Sequence, residues 1–267
     1  MDDRLVRCAV EVNWRNLALG HDVFEADGAT FVRNVTLPRI YDANFVFDIR
    51  VSEPRQIDRL LARAAREYLH AARVTFRVSP FTSPLLEARL ALEGYERDEA
   101  LVMLLDGPLR RETTRVDIRP IEDDPAWRGY TELRCLDCSE QAPRHNHDPH
   151  DMTIPFGLAS SSRLKCPPVQ YVLAYDDGRA IGYCSGWEGQ DGVGQVEDLF
   201  VHPAYRRRGV ATALIHESVA IVRRRGAGPV VIVADPTDTA KRVYAGLGWQ
   251  PLAICRQYGK TLAGGSH

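Results

Sequence analysis

The segment Val196–Thr212, which reads VEDLFVHPAYRRRGVAT, constrains the fold more than any other part of the chain. It starts with a mostly apolar run, Val196–Val201, and Pro203 then ends the strand because proline cannot donate to a ladder. After three arginines, Gly209 opens a mostly apolar stripe at helical spacing. The stripe consists of Ala211, Leu214, Ile215, Ser218, Val219 and Val222. The segment therefore predicts a buried strand, a tight basic turn and a helix in direct succession.

A helix that starts in this way suits an anion. The first amides of a helix have no partner within it, and the helix dipole places partial positive charge beside them. Gly209 has no Cβ, so phosphate groups can approach its backbone closely. Arg206, Arg207 and Arg208 add positive charge and planar sets of donors. The junction therefore predicts a diphosphate site at the end of a strand.

The pattern Arg206-x-x-Gly209-x-Ala211, preceded by LFVHPAY, resembles the acyl-CoA signature of the GNAT superfamily of N-acetyltransferases. The later segments PVVIVA, DTAKRVYA and GLGW resemble, in that order, a strand, a short helix and the closing turn of that family. Asp235 and Asp238 stand where the family usually has asparagine. The resemblance extends roughly from Arg115 to Lys260, which is the whole C-terminal half of the chain.

The resemblance implies an α/β (α+β) fold that uses acetyl-CoA as cosubstrate. The backbone of Leu199, Phe200 and Val201 would pair with the pantetheine arm, and the amide of Val201 or a neighbour would face the thioester oxygen. The pyrophosphate would lie on the amides that follow. The cofactor-binding residues implied by the signature are thus Arg206, Arg207, Arg208, Gly209, Val210, Ala211 and Thr212, together with the three strand residues.

Two side chains are candidates for the proton transfers that acetyl transfer to an amine requires. Tyr244 matches the family tyrosine that protonates the leaving thiolate, and its other interpretation is an aromatic core residue. Glu197 is the candidate base. Its carboxylate could instead bind a cationic acceptor or lie at a solvated strand end. Strict strand alternation would place Glu197, Leu199 and Val201 on one face, and Asp198 and Phe200 on the other.

Composition excludes several other classes. The net charge is −2 with basic and acidic residues intermixed, so we expect no nucleic acid partner. No apolar run reaches the roughly 20 residues of a membrane span, and the N-terminus lacks a signal-peptide core. Six cysteines at irregular spacing do not indicate a disulfide framework. We therefore expect a cytoplasmic protein without a membrane partner.

The N-terminal half shows strand, helix and Gly-aromatic patterns in the same order as the C-terminal half. We infer a degenerate GNAT-like domain over 1–107, a linker over 108–115 and a catalytic GNAT domain over 116–267. Each unit is expected to hold a mixed, largely antiparallel sheet flanked by helices. Val51–Pro54 replaces the arginines and the glycine, so no CoA is expected in the first unit. An unrelated α/β lobe is the alternative.

The segment Cys135–Pro168 has the least regular pattern and predicts a long loop. Cys135, Cys138 and the histidines at 145, 147 and 150 suggest zinc, but no second cysteine pair stands at ligand spacing, so we expect no metal. In the GNAT family this region walls the acceptor pocket, here with Trp127, Tyr130 and Phe156. A solvated surface loop is the alternative. His145, His147, His150 and His202 are weaker candidates for the base.

The leading hypothesis is therefore acetyl transfer from acetyl-CoA to a primary amine of a small molecule, by direct attack on the thioester. Alternatives are a protein or peptide amine as acceptor, a longer acyl donor, and a non-catalytic acyl-CoA sensor. The sequence leaves the oligomeric state open between monomer and homodimer.

Overall fold

The computed structural model describes residues 3–145 and 148–262, except for the side chains of Arg144 and His145. The chain groups into two compact units. The first comprises 1–102, 233–241 and 251–267, and the second comprises 103–232 and 242–250. The predicted division into 1–107, 108–115 and 116–267 is a different partition, and it stays a prediction.

The first unit holds a six-strand order, β1-β2-β3-β4-β11-β5. Neighbours β1 to β3 pair antiparallel, as do β4 and β11, whereas β3 and β4 are parallel. Its elements are α1 (Asp3–Ala18), β1 (Asp22–Ala26), β2 (Ala29–Arg33), β3 (Phe45–Phe47), α2 (Pro54–Glu67), β4 (Arg73–Val78), α3 (Pro84–Leu92), β5 (Glu96–Leu105) and β11 (Gln250–Thr261).

Helix α1 was missing from the sequence predictions. It buries Val10, Val12 and Trp14, but Asn13 and Asn16 lie on the buried surface with them. These polar residues interrupt the apolar stripe by which an amphipathic helix is recognised. In contrast, Ile57, Leu60 and Ala64 give α2 a continuous buried face at helical spacing.

The second unit holds the strand order β10-β9-β8-β7-β6. Only the β9–β10 pair is parallel, so the mixed, largely antiparallel sheet with flanking helices is confirmed. Its elements are β6 (Asp117–Pro120), α4 (Asp124–His145), α5 (Thr153–Leu164), β7 (Gln170–Asp176), β8 (Arg179–Gln190), β9 (Val193–Val201), α6 (Val210–Arg224), β10 (Val230–Ala234) and α7 (Ala240–Leu247).

The prediction that Cys135–Pro168 forms a long irregular loop was wrong. Helix α4 continues to His145, and α5 occupies much of the remainder. Pro143 lies near the end of α4, and Pro155 lies in the first turn of α5, where proline is tolerated. Both helices therefore form although the sequence pattern of this segment is irregular.

Three glycines bring α6 unusually close to the sheet. A Cβ on Gly194 would lie 2.1 Å from Val222 Cγ1, and one on Gly186 would lie 2.9 Å from the carbonyl oxygen of Ser218. A Cβ on Gly182 would lie 3.1 Å from Leu214 Cδ1. Larger residues at these positions of β8 and β9 would push α6 outward, so the glycines fix the height of the helix above the strands.

The C-terminal strand β11 belongs largely to the first unit. Arg256–Thr261 pair antiparallel with Arg73–Val78 of β4. Glu87 on α3 accepts from Arg256 Nη1 at 2.8 Å and from the Tyr258 hydroxyl at 2.9 Å. The last strand of the predicted catalytic domain therefore completes the sheet of the N-terminal half.

No helix among the described residues combines the length and the apolar character needed to cross a membrane.

Removal of residues 1–107 should leave an insoluble or inactive fragment, because β11 would lose its β4 partner and expose a strand edge. Soluble yield and thiol release from acetyl-CoA are the measurements. Co-expression of 1–107 as a separate chain should restore solubility. A soluble, fully active fragment 108–267 would contradict this expectation.

Candidate active site

The strand–turn–helix junction has the predicted order. Strand β9 ends at Val201, a short 3₁₀ turn covers Pro203–Tyr205, and α6 begins at Val210. Gly209 is the N-cap residue, in the left-handed region at φ 85° and ψ −3°, and no side chain caps the helix there. The first helical bond runs from the Ala213 amide to the Gly209 carbonyl, at 3.0 Å. The amides of Val210, Ala211 and Thr212 thus precede the regular ladder of α6.

Two residues of the turn have positive φ, Arg207 at 64° and Gly209 at 85°. Left-handed residues close together in a turn make successive amides converge and form an anion-binding concavity. A Cβ at position 209 would lie 2.5 Å from Thr114 Oγ1. Both the backbone conformation and this crowding therefore require glycine at position 209.

The three arginines have different surroundings. Arg206 donates from Nε to the Val201 carbonyl at 2.9 Å and from Nη2 to Glu140 at 2.5 Å, so its side chain braces the end of β9. Arg207 is exposed. Arg208 is exposed and lies over the ring of Tyr205, 5.3 Å from the centroid.

Strands β9 and β10 share a short ladder, Val230 with Gly194 and Val231 with Gln195, while β9 continues to Val201. The amide of His202 donates to the Ile181 carbonyl at 2.9 Å, toward β8. Because amides alternate in direction along a strand, the Val201 amide points away from β8, toward the edge that faces β10. Leu199, Phe200 and Val201 are thus the residues of β9 that lie beyond the ladder, next to the helix start.

A β-bulge in β9 overturns the predicted alternation. Ser185 pairs with Glu197 but Tyr183 pairs with Phe200, so β9 carries one extra residue, and Asp198 has φ 58°. Glu197, Asp198 and Phe200 consequently share one face. Phe200 stacks on Tyr183 of β8, with centroids 5.6 Å apart. Val201 lies on the opposite face with Gly182, against α6.

A buried polar cluster that the sequence analysis missed lies on the Asp198 face of the sheet. Arg134 Nη2 on α4 donates to Asp198 Oδ1 at 2.7 Å and to the Tyr130 hydroxyl at 2.5 Å. The Tyr171 hydroxyl lies 3.4 Å from Asp198 Oδ2, and Tyr183 donates to Asp137 at 2.8 Å. Arg134 and Asp198 are 64 residues apart, so no local pattern links them.

Neighbouring charges and burial shift the pKa values of the two carboxyl groups in this cluster. Burial alone would raise the pKa of Asp198, but Arg134, Lys165 and the hydrogen bonds from Arg134 and Tyr171 bring it below the ordinary value. Burial raises the pKa of Asp137, despite Arg134 and the Tyr183 hydroxyl. Asp198 therefore stays ionised as the partner of Arg134, which makes it a poor proton acceptor near neutral pH.

Glu197 is half-buried next to the bulge. Its Oε2 accepts from Gln195 Nε2 at 2.6 Å, and Gln195 is buried. Its backbone carbonyl accepts from the Ser185 hydroxyl at 3.1 Å. The carboxylate is thus oriented by a neighbour on its own strand.

Tyr244 lies near the end of α7 and is 6 % exposed. Its carbonyl accepts from the amides of Gly248 and Trp249, each at 3.1 Å, and Gly248 has φ 117°, the geometry of a glycine-terminated helix. The rings of Tyr244 and Trp249 are 6.3 Å apart, and Trp249 Nε1 donates to the Val230 carbonyl of β10 at 3.2 Å. The closing turn thereby fixes the tyrosine relative to β10.

The predicted linker belongs to the second unit and contacts two of its helices. The Arg110 amide donates to the Leu247 carbonyl at 2.9 Å, and the Arg111 guanidinium lies over Gly246. Arg223 of α6 donates to the Gly107 carbonyl. With Thr114 beside Gly209, this segment extends from the end of α7 to the start of α6.

A cleft of about 1250 Å³ lies along α4, α5 and the β7–β8 turn. Its lining includes Trp127, Glu132, Met152, Phe156, Tyr175 and His202. Trp127 and Phe156 thus line the same cleft, whereas Tyr130 is fully buried in the Arg134 cluster, and their role as acceptor walls stays a prediction.

Several other candidates have local roles or are not described. His202 Nδ1 accepts from the Ala204 amide at 3.2 Å and so caps the 3₁₀ turn. His147 and the side chain of His145 lie outside the described residues. No group of three or more His, Cys, Asp or Glu side chains in the described part of the chain could hold a metal ion.

Residues 127–249 match the sequence model of the acetyltransferase (GNAT) family. The match includes the strand–turn–helix junction, the bulge and Tyr244. A comparison with curated protein sequences gives no match.

Solved structures share the fold over nearly the whole chain. A conserved protein of unknown function from Staphylococcus epidermidis is 13 % identical, with 91 % of this chain and 95 % of that chain covered and a TM-score of 0.67. A GCN5-related N-acetyltransferase from Kribbella flavida is 16 % identical, with 96 % of each chain covered and a TM-score of 0.63.

A tandem GNAT protein from the clavulanic acid biosynthesis pathway is 18 % identical, with 81 % of this chain and 75 % of that chain covered and a TM-score of 0.57. At these identities the structures establish the fold alone. The match to the acetyltransferase (GNAT) family model covers residues 127–249, slightly under half of the chain.

Proposed function

We propose that this protein transfers an acetyl group from acetyl-CoA to a primary amine of a small molecule, by direct attack of the amine on the thioester. The observation that carries the proposal is the left-handed Gly209 at the head of α6, directly after a strand that continues past its β10 ladder. This arrangement offers amides to a diphosphate and an open strand edge to an extended amide chain.

In this proposal the amides from Arg207 to Thr212 bind the pyrophosphate, with Arg207 and Arg208 as mobile counter-charges. Arg206 acts differently from the sequence-based expectation, because its guanidinium is bonded to Val201 and Glu140. The pantetheine arm pairs with the backbone of Leu199 to Val201. The Val201 amide then donates to the thioester oxygen, where negative charge develops during attack.

Two side chains complete the chemistry. Tyr244 donates its phenolic proton to the departing thiolate, because a positioned acid stabilises the negative charge that develops on the leaving sulfur. Glu197 accepts the proton of the amine, directly or through water. The hydrogen bond from Gln195 keeps its carboxylate in place for that step.

The acceptor is a small-molecule amine in this proposal, with the helices α4 and α5 as walls. Trp127 and Phe156 line a cleft there. A protein or peptide amine, a longer acyl donor and a non-catalytic acyl-CoA sensor remain the alternatives. Six cysteines without a disulfide support a reducing compartment, for which we propose the cytoplasm.

We infer that the first unit is a degenerate GNAT-like unit that holds no CoA. The equivalent helix α2 is preceded by the acidic Glu53 rather than by glycine. Gln56 Oε1 already accepts from the amides of Ser52 and Glu53, at 3.2 and 3.3 Å. A phosphate would therefore meet a carboxylate and a competing acceptor at that helix start.

The decisive experiment is a thiol-release assay of the full chain with acetyl-CoA against a library of small amines, beside mass spectrometry for co-purified CoA. Turnover with a small amine supports the proposal. CoA binding without turnover on any amine would favour the sensor, and turnover on peptides alone would identify a protein amine as the acceptor.

Substitution Gly209→Ala should raise the Kd for CoA by about tenfold, because a left-handed alanine costs about 1–2 kcal/mol and its Cβ meets Thr114. Calorimetric titration with CoA gives the measurement. Gly226→Ala, at the other end of α6 with φ 99° and open space, is the matched control and should leave the Kd unchanged. If both variants change the Kd for CoA equally, Gly209 has no specific role in binding phosphate.

Substitution Tyr244→Phe should lower kcat by about 10²-fold while the Kd for CoA stays the same, because only the acid is lost. Tyr258→Phe removes the hydroxyl of another buried tyrosine, outside the proposed site, and serves as the control. An unchanged kcat in Tyr244→Phe would exclude this residue as the general acid.

Substitution Glu197→Gln separates the three roles left open for this carboxylate. As the base, it should lower kcat by about 10²-fold and remove the acidic limb of the pH–rate profile. As a binder of a cationic acceptor, it should raise KM for that acceptor with kcat retained. If neither kcat nor KM changes, Glu197 is only a strand residue.

A further inference from the structure

The geometry of β9 points to a role for a buried ion pair that the family signature does not include. We propose that Arg134 and Asp198 are positioning residues, whose pair holds the β9 bulge so that the Val201 amide faces the thioester. The proposal rests on the proposed acetyl transfer, but the bulge itself can be tested without turnover.

The bulge needs an external support. Asp198 and Leu199 stand opposite Cys184 alone, because the neighbouring pairs are Glu197 with Ser185 and Phe200 with Tyr183. Asp198 has φ 58°, a conformation that glycine adopts readily and other residues do not. A non-glycine residue stays in this region only when its surroundings determine it.

Arg134 supplies that support from α4. Its Nη2 lies 2.7 Å from Asp198 Oδ1, and the side chains of the pair are 9 % and 20 % exposed. The guanidinium lies over the rings of Tyr130 and Tyr183, 5.3 and 4.9 Å from their centroids. The Tyr130 hydroxyl, which accepts from Arg134, is also bonded to Ser162 on α5 at 2.8 Å. Ring packing and hydrogen bonds on two helices thus fix the guanidinium.

The orientation of Val201 depends on the bulge. Because strand residues alternate with a period of two, one extra residue reverses the direction of every later amide relative to a regular ladder. Val201 follows the bulge by three positions, and the ordered bulge directs its amide away from β8. If the bulge relaxed and the register moved by one residue, this amide would turn toward β8 and leave the thioester without its donor.

An ion pair can select one backbone conformation at position 198, whereas a glycine there would not. Glycine would permit the left-handed conformation but would not select it, since it populates other regions as readily. A buried pair selects one arrangement, because any other leaves a charge without its partner in a dry environment. Substitution of Asp198 by glycine therefore tests whether a residue that merely allows the left-handed conformation is sufficient, or whether the ion pair is needed to hold it.

The experiment compares Arg134→Met, Asp198→Gly and Asp198→Ala in the full chain. Arg134→Met should lower kcat by about 10²-fold, the order expected for loss of one oxyanion donor, and the Kd for CoA should rise less than kcat falls, because the diphosphate still binds at the head of α6. Asp198→Gly should retain more kcat than Asp198→Ala. Arg119→Met, which breaks the exposed pair with Asp117 in the same unit, is the control and should change neither.

Amide hydrogen exchange of peptides covering 197–203 gives a readout that needs no turnover. Exchange there should be at least about tenfold faster in Arg134→Met and unchanged in Arg119→Met. Unchanged exchange in Arg134→Met would overturn the proposal. A loss of kcat in proportion to the loss of folded protein, with equal kcat values in Asp198→Gly and Asp198→Ala, would also overturn it. A wild-type chain without activity would refute the acetyl transfer, and exchange alone would then decide whether the pair holds the bulge.

Discussion

The second unit depends on how helix α6 begins. Every helix leaves its first amides without partners, and most chains satisfy them with a capping side chain. Here the cap is Gly209, which has no side chain, and Thr114 occupies the space that any Cβ would need. The glycines of β8 and β9 then hold the whole helix close to the sheet, so the helix start is fixed relative to the end of β9.

Strand β9 adds a second constraint, since its bulge changes which of its side chains face α6. Before the bulge, residues 195–197 pair with residues 185–187 of β8 in regular register. After it, Val201 faces α6 while Phe200 faces the aromatic cluster of Tyr130 and Tyr183. The bulge therefore sets which side chains pack on each face and, in the proposed function, which amides lie along the open edge.

Local patterns predicted most of the elements and failed where the determining partner lies far away in sequence. The junction at Gly209 and the turn at Gly248 each follow from a short pattern of turn and apolar residues. The bulge does not, because it is set by register against β8 and by Arg134. The pairing of β11 with β4 also joins segments far apart, so β11 alone shows no sign of it.

The same limit applies to the candidate site. Gly209, Tyr244 and the strand residues were found through a pattern with fixed spacing. Arg134 was missed because a single arginine in an amphipathic helix resembles a solvated residue until its partner is known. Asn13 and Asn16 conceal α1 in the same way, since polar residues on a buried face contradict the periodicity on which recognition depends.

The account rests on the binding of a diphosphate at the head of α6, and calorimetric titration with CoA and with pantetheine tests this most directly. The two ligands share the arm that would pair with β9, but only CoA carries the diphosphate. The account predicts that CoA binds and that pantetheine binds at least about a hundredfold more weakly. Equal affinities for the two, or no binding of CoA, would contradict it.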